Sequence, residues 1–138
     1  MIGLDTNILL RWLIDESIWP DDNPGQTAAV ARLLGDEQQL FFINTIVLSE
    51  TLWVLLNPMR QPRAIVLSVL DRMLGLANVE IQQRDAVSAA RAAMDSHKGG
   101  IHDPLIAAIN AHGRCAFTVT FDKVASRTPG FKLLETEG

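Results

Sequence analysis

Met1-Ile2-Gly3-Leu4-Asp5-Thr6-Asn7-Ile8-Leu9-Leu10 opens the chain and sets its reading. A short apolar run meets an acid, a hydroxyl and an amide, and then an apolar run resumes. This pattern predicts a buried strand ending at Leu4 or Asp5, followed at once by a helix opened with capping side chains. In an open parallel sheet, ligands collect beyond the carboxyl ends of the strands. Asp5 therefore stands where chemistry is expected. Asp is also a favoured helix cap, and at this point the two roles are evenly balanced.

The same strand-then-helix unit recurs along the chain. Asn7 to Ile14 is apolar except for Arg11 and predicts a well-buried helix, with a loop from Asp15 to Gly25 after it. Gln26 to Leu34 reads as a helix stopped by Gly35. Leu40-Phe41-Phe42-Ile43 is strand-like, and after Asn44-Thr45 a helix from Ile46 to Leu56 ends before Asn57-Pro58. Pro62 to Leu74 predicts a further helix, Asn78 to Gln82 a short strand, and Asp85 to Ser96 an Ala-rich helix suited to close packing or an interface. His97 to Gly100 reads as a loop, and Leu105-Ile106-Ala107-Ala108-Ile109 belongs to a helix ended by Gly113. Asp103 before Pro104 is the usual pairing of an N-cap with a first helical residue. Ala116 to Phe121 is β-rich, Lys123 to Gly130 a loop, and Phe131 to Leu134 a last strand. Strands alternating with helices predict an α/β fold with a largely parallel sheet and helices on both faces.

At 138 residues the chain suffices for one domain, read as spanning 1–138, with a real core. Its 48% apolar and 20% charged residues are globular values and exclude a disordered chain. The single Cys115 excludes an intrachain disulfide, and no Cys/His cluster has zinc spacing. No apolar run approaches bilayer length and no signal peptide is evident, which predicts a cytoplasmic protein with no membrane partner. A net charge of −4 argues against a protein held on nucleic acid mainly by its total charge. It leaves room for an enzyme whose acids surround cations.

Four of the sixteen acids combine a motif-like or apolar setting with a place at or just after a strand end: Asp5, Glu50, Asp103 and Asp122. Glu50 falls among Val47, Leu48, Leu52 and Trp53, an unusual setting because an unpaired buried charge is costly. Carboxylates gathered at one sheet edge repel one another unless a cation neutralises them. Oxygen-only ligands suit Mg²⁺ or Mn²⁺ rather than zinc. Such ions polarise phosphoryl oxygens and acidify water, and the chemistry that follows is phosphodiester hydrolysis.

These residues resemble the PIN-domain nucleases, most closely the small single-domain toxins of the VapC kind. The resemblance is carried by Leu4-Asp5-Thr6-Asn7-Ile8-Leu9-Leu10, by Ser49-Glu50, by Asp103-Pro104-Leu105-Ile106-Ala107-Ala108 and by Thr120-Phe121-Asp122, in that order. It implies a three-layer α/β/α sandwich around a mostly parallel sheet of four or five strands. It also implies a Mg²⁺- or Mn²⁺-dependent endoribonuclease, the toxin of a type II toxin–antitoxin pair. Asp5, Glu50, Asp103 and Asp122 match the family's acidic metal-binding positions, while Thr6, Asn7 and Thr120 match residues that support the site. A homodimer and a small antitoxin are the implied partners, with RNA as substrate. Pro104 departs from the pattern, which has a small or apolar helix former there more often than Pro, and it disfavours a helical Asp103.

The expected reaction is in-line attack on single-stranded or loop RNA, leaving 5′-phosphate and 3′-hydroxyl ends. Arg11, Lys98, Arg114, Lys123 and Arg127 lie near the motifs and are candidates to draw in the RNA backbone. Trp12 and Trp53 read as core or interface residues, and Trp19 as the one tryptophan placed to stack a base or meet a partner. His102 reads as a hydrogen-bonding loop residue. The alternatives are a non-catalytic PIN-fold module that binds RNA or protein, an aspartyl-phosphate phosphatase and a DNA flap nuclease. Asn7, where a second acid would be wanted, argues against the phosphatase, and the chain is short for the flap nuclease.

Overall fold

A computed structural model describes every residue except 21, 22, 24, 98 and 138. The chain divides into two compact units, Met1–Gln82 and Gln83–Gly138.

In the first unit, β1 (Ile2–Gly3), β2 (Phe41–Ile43) and β3 (Val79–Ile81) form a parallel sheet with β2 in the centre. Ile2 aligns with Phe41, and Phe41 with Val79. Alternation along β2 sends Phe41 and Ile43 to one face, where both are fully buried. Around the sheet lie α1 (Thr6–Leu13), α2 (Gln26–Leu34), α3 (Thr45–Leu56) and α4 (Arg63–Gly75). Leu9, Leu48, Leu52, Leu55, Val66, Leu70 and Met73 supply the helical side of the core. Each such side chain contributes about 1.5–3 kcal/mol on burial.

The helix starts follow from local chemistry. Asp5 accepts a hydrogen bond from the Thr6 backbone N–H at 2.7 Å, and Asn44 accepts one from the Val47 N–H at 2.8 Å. Both therefore satisfy donors that a helix start leaves unpaired.

The second unit holds α5 (Arg84–Ala93), α6 (His102–His112), β4 (Thr118–Thr120) and β5 (Phe131–Leu133), with a 3₁₀ turn at Ala125–Arg127 between the strands. The Ala-rich helix packs closely: α5 and α6 lie together, and Ala86, Val87, Ala90, Met94, Ile101 and Leu105 are buried. β4 and β5 pair in parallel, Thr118 opposite Phe131. Gly130, at φ +94°, makes the left-handed turn into β5 that a side chain would strain.

Three expectations change. The α/β class with parallel pairing stands, but among the described residues the strands pair as one set of three and one of two rather than as a central sheet of four or five. Hydrophobic alternation marks strands but carries no record of their pairing. α6 starts at His102, so Asp103 and Pro104 both lie inside its first turn and Asp103 is not the N-cap. Proline is tolerated there because the first N–H groups of a helix have no intrahelical acceptor. Finally, the stretch read as a loop from Lys123 to Gly130 contains the 3₁₀ turn.

Candidate functional site

In the first unit, the junction of β1 with α1, the middle and end of α3 and the turn after it open onto one cavity of about 490 Å³. That volume lies within the range of roughly 300–1,000 Å³ typical of ligand pockets. Its polar wall is Asp5, Thr6, Asn7 and Glu50, and its apolar wall is Leu10, Trp19, Val54, Pro58 and Met59.

Asp5 is both a cap and a cavity residue. Its Oδ1 takes the Thr6 N–H, and its own carbonyl accepts from the Leu9 N–H at 3.2 Å. Fully buried Leu9 anchors that turn. Thr6 is 6% exposed, and its hydroxyl has no hydrogen-bond partner among the described residues.

Glu50 faces solvent and is not buried among the apolar residues that surround it in sequence. The core stripe of α3 is Val47, Leu48, Thr51, Leu52 and Leu55. That stripe turns Ile46, Glu50 and Trp53 outward, and all three are exposed. Glu50 thus faces the cavity without the desolvation cost of the core. Trp53, 52% exposed, is not a core residue.

Arg11 is the least expected member of α1. It is 7% exposed, its Nη1 donates to the Trp19 carbonyl at 2.8 Å, and its guanidinium lies 3.8 Å over the Trp19 ring. An arginine offered for RNA is thus bound up with a tryptophan instead. The main chain of the same residue is fixed too, the Trp19 backbone N–H donating to the Asp15 carbonyl at 3.1 Å. Hydrogen bonds from Ser17 tighten the same turn and hold the Asp15 carboxyl below its usual range. The apolar wall of Leu10, Val54, Pro58 and Met59 was not foreseen from sequence, since no motif marks it.

The second unit carries Asp103, in the first turn of α6, and Asp122, just after β4. Asp122 Oδ1 accepts from the Val124 and Ala125 N–H groups at 2.8 and 3.2 Å, capping the 3₁₀ turn. Thr120 supports it directly, its hydroxyl accepting the Asp122 N–H at 3.0 Å. His102 opens α6, and Lys123, Arg114 and Arg127 are exposed. Lys98 lies outside the described residues.

The structure therefore brings Asp5 and Glu50, with Thr6 and Asn7, to one cavity in the first unit. Among the described residues, no group of three or more His, Cys, Asp or Glu side chains forms a metal-binding cluster. The Asp5 and Glu50 carboxylates are an all-oxygen pair, the donor chemistry that suits a hard divalent cation.

The family model described as the PIN domain matches residues 2–130, almost the whole chain and parts of both units. The chain belongs to the PIN domain family. It thus has a nuclease-type fold, in a family whose members are generally metal-dependent nucleases that bind nucleic acid. Comparison with curated proteins gives no match. No helix among the described residues is long and apolar enough to cross a membrane.

Proposed function

We propose that this PIN domain is a Mg²⁺- or Mn²⁺-dependent endoribonuclease acting on single-stranded or loop RNA, and the toxin of a type II pair with a small antitoxin. Residues 1–138 act as one catalytic domain, since the family match crosses the boundary between the units. The observation that carries the reading is that Asp5 and Glu50, far apart in sequence, line one cavity.

Asp5 and Glu50 would hold the cation in the first unit; Asp103 and Asp122, in the second, are proposed as acidic site residues on their match to the family's positions alone. When bound, the cation supplies Lewis acidity toward a phosphoryl oxygen and lowers the pKa of attacking water. The protein's own residues do the positioning. The buried Leu9 turn fixes Asp5, the exposed Asn7 amide offers hydrogen bonds to phosphate or water, and Thr120 holds the backbone at Asp122. Exposed Lys123 draws the RNA backbone toward the acids. Homodimerisation and a cytoplasmic setting belong to the same reading.

The test is cleavage of structured RNA, unstructured RNA and DNA with Mn²⁺, with Mg²⁺ or with chelator. Metal-dependent RNA cleavage leaving 5′-phosphate and 3′-hydroxyl ends is expected. Ends with 2′,3′-cyclic phosphate would contradict the mechanism. Folded protein that binds RNA and cuts none would favour a non-catalytic module.

A further inference from the structure

The cavity has more apolar wall than a cation and a phosphate can use. Leu10, Val54, Pro58 and Met59 line one part of it together with the Trp19 ring, next to Asp5 and Glu50. A phosphodiester held at the carboxylates carries a nucleoside on either side, and the apolar wall lies where one of those groups must go. We propose that this wall is a nucleobase subsite in which one unpaired base of the RNA stacks on Trp19. The assignment rests on the nuclease reading, which makes Asp5 and Glu50 the neighbours of a phosphodiester.

Three observations support a base rather than an aliphatic ligand. The first is that Trp19 is preset. Arg11 covers the ring at 3.8 Å, its Nη1 bonds the Trp19 carbonyl, and the Trp19 backbone N–H bonds Asp15. A ring fixed on one side by a guanidinium loses little freedom when a flat ligand meets its remaining surface. The second is polar matching: exposed Asn7 lines the same cavity beside the Asp5 and Glu50 carboxylates, with an amide that carries both donor and acceptor. That amide can meet the donors and acceptors of a base edge, which an aliphatic group lacks. The third is the setting of Trp19, half-buried and lining the cavity, where a base can be enclosed as a surface tryptophan could not enclose it. A base already stacked in a duplex has no face to offer. The subsite therefore selects nucleotides in single strands or loops, with tolerance for base identity because every base has a π-face.

The subsite can be tested apart from catalysis with 2-aminopurine riboside, a fluorescent nucleoside without phosphate. Wild-type protein should quench it saturably, and adenosine should compete where methyl riboside, which lacks a base, does not. Trp19→Ala and Trp19→Leu should weaken binding about 5- to 100-fold, the range for loss of one base stack. Trp19→Phe should retain most of it. Trp19→Leu keeps apolar volume, so circular dichroism that shows it folded removes misfolding as an explanation. Equal binding by wild type and a folded Trp19→Leu, or no quenching by folded wild type, would overturn the subsite. Metal-dependent RNA cleavage without nucleoside binding would sink the subsite and leave the nuclease. Nucleoside binding without cleavage of any RNA would do the reverse.

Discussion

At the centre of the first unit Phe41 and Ile43 are fully buried on β2, whereas Val119 on β4 of the second, and Phe117 and Phe121 flanking that strand, are 54%, 46% and 66% exposed. Both stretches have the composition of strands, and Phe117, Val119 and Phe121 even alternate as one apolar face. The difference lies in what covers them. The first unit buries large aliphatic side chains of α1, α3 and α4 together with β2, while the core of the second is built largely where α5 meets α6 through Ala86, Val87, Ala90 and Leu105. The candidate acids inherit this contrast. Asp5 stands on a helix anchored in the core by Leu9, and Asp122 on a turn held by its own hydrogen bonds with Thr120, Val124 and Ala125.

The comparison can be broken most sharply with paired core and surface substitutions. Phe41→Ala should cost about 3–5 kcal/mol in chemical denaturation, and Phe121→Ala within about 0.5 kcal/mol. Similar losses for the two would mean that the exposed face of β4 is covered in solution. Glu50→Gln comes next. It should lower metal-dependent RNA cleavage about 100-fold or more, with a midpoint of unfolding close to wild type because the side chain is exposed. A smaller effect separates the two parts played by Asp122. Asp122→Ala should lose about 1 kcal/mol of stability with the cap, while Asp122→Asn, which can still accept from Val124 and Ala125, should lose far less. The smallest effect belongs to Val119→Ser, whose melting temperature should stay within a degree or two of wild type by calorimetry.

Much of the helical framework was legible from the chain alone. Gln26–Leu34 followed by Gly35 and the helix ending at Leu56 before Asn57-Pro58 fall where caps and breakers put them. β2 and Asp5 at the first strand-to-helix junction were equally plain. The failures share one physical origin, since periodicity encodes which face is apolar but not what will lie against it. The division of five strands into sets of three and two, the exposure of β4 and the outward turn of Trp53 all depend on partners that come from elsewhere in the chain. Arg11 is the clearest case. It looked like the one polar break on an apolar helix, and its partner, the Trp19 ring, sits in a loop whose position no spacing rule records. Of the candidate site, Asp5, Thr6, Asn7 and Glu50 were visible as residue types at a strand end or early in a helix, whereas the apolar wall beside them was not.

Asp5 offers the most direct test of the central claim, because Asn caps a helix as well as Asp does while carrying no charge. RNA cleavage and thermal unfolding of Asp5→Asn should be measured on the same preparation, with Mn²⁺ and with chelator. The account predicts an unfolding midpoint within about 2 °C of wild type and a loss of metal-dependent cleavage of about 100-fold or more. Cleavage retained at the wild-type rate by a stable Asp5→Asn protein would show that this carboxylate is a helix cap and nothing more.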